Sequence, residues 1–179
     1  MAYFRCMSGG GESFPNGTKW TQSNITSGNF YAAVNANGIW VATGSDNGLY
    51  YSTDGKTWTQ SNITRRSFGA AVNANGIWVV GSHGDNNSGL YYSTDGKTWT
   101  QSNVLSGNFD AAVNVNGIWV AYRRSLYNSN GLYYSTDGKT WAQSNITSGV
   151  FYDIANANGI WVAAGDGSGL YYSASWEAS

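Results

Sequence analysis

The sequence predicts an all-β chain, and three features carry that prediction: a repeating unit of about 40 residues, short apolar pieces separated by turn residues, and no helical period. Trp40, Trp78, Trp119 and Trp161 each follow Gly-Ile and are spaced by 38, 41 and 42 residues. Trp20, Trp58, Trp99 and Trp141, in TKW or KTW, repeat the same three spacings. The segment GLYYSTDGKTW occurs unchanged at 48–58, 89–99 and 131–141. No window of about 11 residues or more has apolar residues at helical spacing.

Each unit reads as four strands. The first is NFYAAVNA (29–36), closed by Asn37-Gly38, a pair that favours a tight hairpin. The second is IWVAT (39–43), and a loop of changing length follows. The third is GLYYS (48–52). The turn Thr53-Asp54-Gly55-Lys56 leads to the fourth, TWTQSNI (57–63), where large and small residues alternate. The two middle pieces are apolar throughout, as strands covered on both sides should be. Four antiparallel strands per unit of about 40 residues is the pattern of a β-propeller blade. A lone blade cannot bury both faces, so blades stack about an axis. A β-sandwich or an open solenoid are the competing architectures.

The ends suit a closed ring. The chain opens with PNGTKWTQSNIT (15–26), a fourth strand without its first three, and finishes with three strands at 151–173 without a fourth. An N-terminal strand completing the last blade would hide sheet edges that otherwise invite aggregation. The expected organisation is a segment 1–17, then one propeller domain 18–179: closing strand 18–26, blade 1 at 27–64, blade 2 at 65–105, blade 3 at 106–147 and a partial blade 4 at 148–179. A neighbouring chain satisfies the same offset by strand exchange, giving a homo-oligomer.

Composition narrows the partners. With 41% hydrophobic residues the chain has the means for a core, and disorder is not expected. The net charge of −1 and the lack of a basic cluster argue against nucleic acid. A single cysteine, Cys6, allows no internal disulfide. No apolar run approaches the ~20 residues of a membrane helix, and the first residues lack the apolar centre of a signal peptide, so membrane insertion and export by that route are not expected. The triplets at Asn24, Asn62 and Asn145 match the glycosylation pattern and read as a by-product of copying one strand end.

The turn Ser52-Thr53-Asp54-Gly55-Lys56-Thr57-Trp58, repeated at 93–99 and 135–141, resembles the Asp-box of sialidase-like propellers, one residue shorter between Asp and Gly. The wider unit is similar to repeats of bacterial and phage tail-associated proteins. The resemblance implies a propeller repeat, with a virion or cell-surface setting, and it implies that the box is structural. Asp54, Asp95 and Asp137 precede Gly in a turn, where a carboxylate accepts backbone N–H groups, so the residues themselves read the same way.

Beside these copied turns lie segments that differ in every unit. In a blade, the first-to-second and third-to-fourth connections lie on one face; the second-to-third connections and the passages between blades lie on the other. The first set is nearly invariant. The second set comprises ATGSDN (42–47), VGSHGDNNS (80–88), AYRRSLYNSN (121–130) and AAGDGS (163–168), with the passages SGNFY (27–31), RRSFG (65–69), SGNFD (106–110) and SGVFY (148–152). Drift of surface loops explains variation, but not its confinement to one face. A scaffold presenting a recognition surface explains both.

That face carries the candidate ligand-binding residues Asp46, His83, Asp85, Arg123, Arg124, Tyr127 and Asp166 from one set of loops, and Tyr31, Arg65, Arg66, Asp110 and Tyr152 from the other. Short polar groups among aromatic rings suit a glycan or another cell-surface receptor, because hydroxyls need paired donors and acceptors and sugar C–H faces stack on rings. The Arg pairs suit a carboxylate on the ligand; solvated loop charge is the plainer account of them. The mid-strand tryptophans read as packing between blades rather than as stacking platforms. Catalysis is not expected. Sialidases use three convergent Arg, a Tyr with a Glu and an Asp, whereas the Glu here are Glu12 and Glu177 near the ends and the Arg beyond Arg5 are adjacent pairs. His83 with Asp85 makes a two-ligand set, too few for a metal site, and no cofactor is implied. A purely architectural spacer or oligomerisation module is the remaining class.

Overall fold

The computed structural model describes residues 17–84, 88–122, 131–167 and 169–174. Four antiparallel sheets follow one another along the chain. The first joins β1 (Asn29–Ala36), β2 (Ile39–Ser45), β3 (Leu49–Ser52) and β4 (Thr59–Gln60) in sequence order. The second has its first strand split into β5 (Ser67–Phe68) and β6 (Val72–Ala74), both paired with β7 (Ile77–His83), and continues to β8 (Leu90–Ser93) and β9 (Thr100–Gln101). The third runs β10 (Ala111–Val115), β11 (Ile118–Tyr122), β12 (Tyr133–Ser135) and β13 (Ala142–Gln143). The last holds β14 (Val150–Ala157), β15 (Ile160–Asp166) and β16 (Gly169–Ala174). The fold is all-β and propeller-like.

The hairpins form where the sequence places them, for a local reason. Asn37 and Gly38 have φ of 52° and 77°, and the Asn-Gly pairs at 75–76, 116–117 and 158–159 repeat this. Two successive positive φ values give the turn whose twist matches a right-twisted hairpin. The expected first strand of blade 1 is met in full. The fourth strand is shorter than the expected 57–63: only Thr59 and Gln60 pair with β3 as regular strand. Beyond them Ser61 Oγ accepts the Ile63 N–H (3.0 Å) and bends the chain, while Leu49 still bonds Ser61 and Ile63.

Packing is between neighbours. The first joint gathers Val41, Leu49, Phe68, Trp78 and Trp99; the second gathers Leu90, Phe109, Trp119 and Trp141. Within each blade a Phe in or just before the first strand meets a third-strand Tyr edge to face: Phe30–Tyr50, Phe68–Tyr91, Phe109–Tyr133 and Phe151–Tyr171, at 5.3–5.7 Å between ring centroids. Trp78 and Trp119 are 2% exposed, as inter-blade packing requires. Trp40 departs from that role and is 37% exposed, since among the described residues no sheet packs on that side of blade 1. Likewise, among the described residues, 18–26 form no ladder with β16 and the last sheet has three strands.

Candidate functional site

The two faces are built differently. On the copied face each box turn is held by its own residues. Asp54 Oδ1 accepts the N–H groups of Lys56 (2.7 Å) and Thr57 (2.8 Å) and the Ser52 hydroxyl (2.8 Å), and Ser52 Oγ accepts the N–H of Gly55 (2.9 Å). The same set recurs at Ser93–Asp95 and Ser135–Asp137. The backbone N–H groups of Thr57 and Lys56, then the Ser52 hydroxyl, hold the Asp54 carboxyl down at about 2. At Asp95 and Asp137 burial pushes the carboxyl up, but the N–H donors of Thr98 and Lys97, and of Thr140 and Lys139, outweigh it and the net shift is downward.

A residue pattern not read from the sequence sits beside these turns. Asn62 Oδ1 accepts the Trp99 N–H (2.8 Å) and its Nδ2 donates to the Trp99 carbonyl (2.8 Å). Asn24 holds Trp58 and Asn103 holds Trp141 in the same way. Each clamp ties the end of one fourth strand to the box of the following blade. Asn103 lies in Asn-Val-Leu, outside the glycosylation pattern, so the shared element is the Asn itself. The repeated Ser-Asn was the available signal.

On the variable face the bonds cross between blades. The Asp46 N–H donates to Ser67 Oγ (3.3 Å), and the Ser67 hydroxyl reaches Asp46 Oδ1 at 3.5 Å. One blade on, the Gly84 N–H donates to Asn108 Oδ1 (3.0 Å), and His83 Nδ1 lies 3.6 Å from Asp110 Oδ1, within ion-pair range when the imidazole is protonated. So the second-to-third loops of blades 1 and 2 each meet the passage into the next blade. His83 and Asp110, from separate candidate groups, are brought together; Asp46 and Arg66 flank Ser67, whose role was not foreseen. Tyr31 and Tyr152 sit at register shifts in β1 and β14 with exposed rings.

Arg66 is the unusual member. Gly28, Gly107 and Gly149 occupy its place in the other units, with φ of 118°, 106° and 117°. Arg66 has a φ of 141°, in the half of backbone space that favours glycine. Its guanidinium lies 5.8 Å from the Tyr91 ring centroid. Arg65 beside it is exposed. Asp166 ends β15, its backbone opposite Val150. Asp85, Arg123, Arg124 and Tyr127 lie outside the described residues. Among the described residues no group of three His, Cys, Asp or Glu is placed to hold a metal ion.

No family model matches the chain, and no curated protein matches it significantly. Solved structures do. The computationally designed Ika4 protein aligns with a TM-score of 0.64 at 11% identity over 86% of this chain and 95% of its own. The designed Ika8 protein aligns at 0.59 and 11% identity over 80% of this chain, which spans only 45% of Ika8. YCF48 bound to D1 peptide aligns at 0.56 and 17% identity over 86% of this chain and 52% of its own. These are β-propeller proteins, and at such identities the likeness defines the fold alone.

Proposed function

We propose that this chain is a non-catalytic recognition module of the Asp-box propeller type, binding a glycan or another cell-surface receptor through its variable face. The observation that carries the reading is Arg66. A non-glycine residue with φ of 141° costs about 1–3 kcal/mol, and three sister units avoid that cost with glycine. Retaining Arg there makes sense if the guanidinium is used. Held against Tyr91 and next to Arg65, it is placed to meet an acidic group, such as a sugar carboxylate, with the Asp46–Ser67 and His83–Asp110 pairs as further polar contacts. The copied face supports the reading by contrast, since its turns are satisfied by their own side chains.

In this reading the blades form a closed ring, with strand 18–26 completing the last blade, and the variable loops of all blades lie on one side of it. Binding per site is modest, and display on a virion or cell surface supplies avidity. The test is a glycan array probed with the purified chain and with a control whose four second-to-third loops are all ATGSDN. Binding lost in the control supports the module and locates its site. A folded chain that binds no glycan, or a control that binds as well, removes the glycan reading and favours an architectural repeat.

A further inference from the structure

We infer that a second copy of this chain completes the last blade: residues 17–26 of each protomer pair with β16 of the other, seating Trp20 in the cavity between blades 3 and 4. The inference rests on the ring closure proposed above, not on the ligand.

The segment is already shaped as a fourth strand. Ile25 N–H donates to Ser23 Oγ (3.1 Å), as Ile63, Val104 and Ile146 do to Ser61, Ser102 and Ser144 (3.0–3.1 Å). Trp20 Nε1 donates to the Gly17 carbonyl (3.1 Å), as Trp141 Nε1 does to Gly138 (3.3 Å). Asn24 clamps Trp58 of blade 1, so the segment sits where the fourth strand of a preceding blade belongs. Yet Trp20 is 85% exposed, while Trp99 and Trp141 are buried.

At the other end a complementary edge is open. Leu49 and Leu90 are fully buried beneath their fourth strands; Leu170, in the same position on β16, is 75% exposed, and Tyr172 is 81% exposed. The joint between blades 3 and 4 contains Trp161 but no box tryptophan, and a cavity of about 750 Å³ stands there, bounded by Val120, Tyr134, Asn145, Trp161 and Tyr172. Asn145 corresponds to the clamps Asn62 and Asn103 and makes no such clamp among the described residues. The cavity has the size of a ligand pocket, but the repeat assigns it to a tryptophan and a strand.

The geometry of the joints points to the second copy. Blade 1 packs on blade 2 through β2 and β5, blade 2 on blade 3 through β6, β7 and β10, and blade 3 on blade 4 through β10, β11 and β14. No comparable packing joins blade 4 to blade 1 among the described residues. Three joints of one kind leave the ends apart, so repeating that joint does not close four blades. Two copies related by a two-fold axis close the ring with two identical new joints.

Register gives the test. Tyr51 pairs with Thr59, Tyr92 with Thr100 and Tyr134 with Ala142, so Tyr172 pairs with Thr21. In the full chain with Cys6→Ser, the pair Thr21→Cys and Tyr172→Cys is oxidised and run on a non-reducing gel. A covalent dimer, together with a solution mass of two chains for the unsubstituted protein, is expected. A disulfide within a monomer overturns the second copy but leaves ring closure standing. No disulfide, with both thiols free in the folded protein, overturns both. Trp20→Ala is expected to lower the solution mass to one chain with an unchanged far-ultraviolet spectrum; a dimer that survives it overturns the role of Trp20.

Discussion

Asn62 grips Trp99 by both ends of one peptide, its Oδ1 accepting the tryptophan N–H and its Nδ2 donating to the tryptophan carbonyl, each at 2.8 Å. The two residues belong to different blades, so one amide side chain fixes the height of a blade against its neighbour. Asn62→Ala leaves two backbone groups of Trp99 without that partner and is expected to cost about 1–2 kcal/mol. Asn103→Ala should cost a similar amount, because it removes the same pair of bonds at the next joint. Urea unfolding of both variants checks this; unchanged midpoints would remove the clamp as a source of stability.

Acid should attack the box turns first. Folding lowers Asp54 from an ordinary 3.8 to about 2, and lowers Asp95 and Asp137 in the same direction. A carboxyl bound more weakly by protons in the folded chain contributes stability above its unfolded value. That contribution fades as pH falls through the folded value. The urea midpoint should therefore hold between about pH 7 and 5 and decline from about pH 4 towards 2. In a variant with all three box Asp changed to Asn the decline should be shallower. An equally steep decline in that variant would place the acid sensitivity elsewhere.

Arg66→Gly should separate stability from binding. Glycine relieves the strained backbone, so the variant is expected to gain about 1 kcal/mol after the lost contact with Tyr91 is counted. If Arg66 serves recognition, the same variant should lose most binding on the glycan array. A variant that is less stable than the parent would show that Arg66 is there for packing, and would take the main support from the recognition reading.

Burial of the mid-strand tryptophans sets the scale of their loss. Trp119→Ala, at a 2% exposed position between blades 2 and 3, is expected to cost about 3–5 kcal/mol. Within a single chain Trp40→Ala should cost less, since Trp40 is 37% exposed. A cost for Trp40 that matches Trp119, and that falls on dilution, would show Trp40 buried in an assembly.

The repeat period, the hairpins, the box turns and the division into a copied and a variable face were all legible in the sequence. Each depends on residues adjacent in the chain: Asn-Gly takes positive φ by itself, and Ser52 and Asp54 need only the next few N–H groups. Tertiary structure alone decided what meets across a joint. The Asn62 clamp looked like a by-product of copying until it faced Trp99, 37 residues away. His83 and Asp110 became a pair only when one blade was seated on the next, and the positive φ of Arg66 shows only in the backbone. Whether Trp40 and Leu170 are covered depends on the angle between blades, which packing at each joint sets and no local stretch of sequence encodes. A four-fold repeat in the chain therefore specifies the blade, while the side chains buried between blades decide how one blade is set against the next.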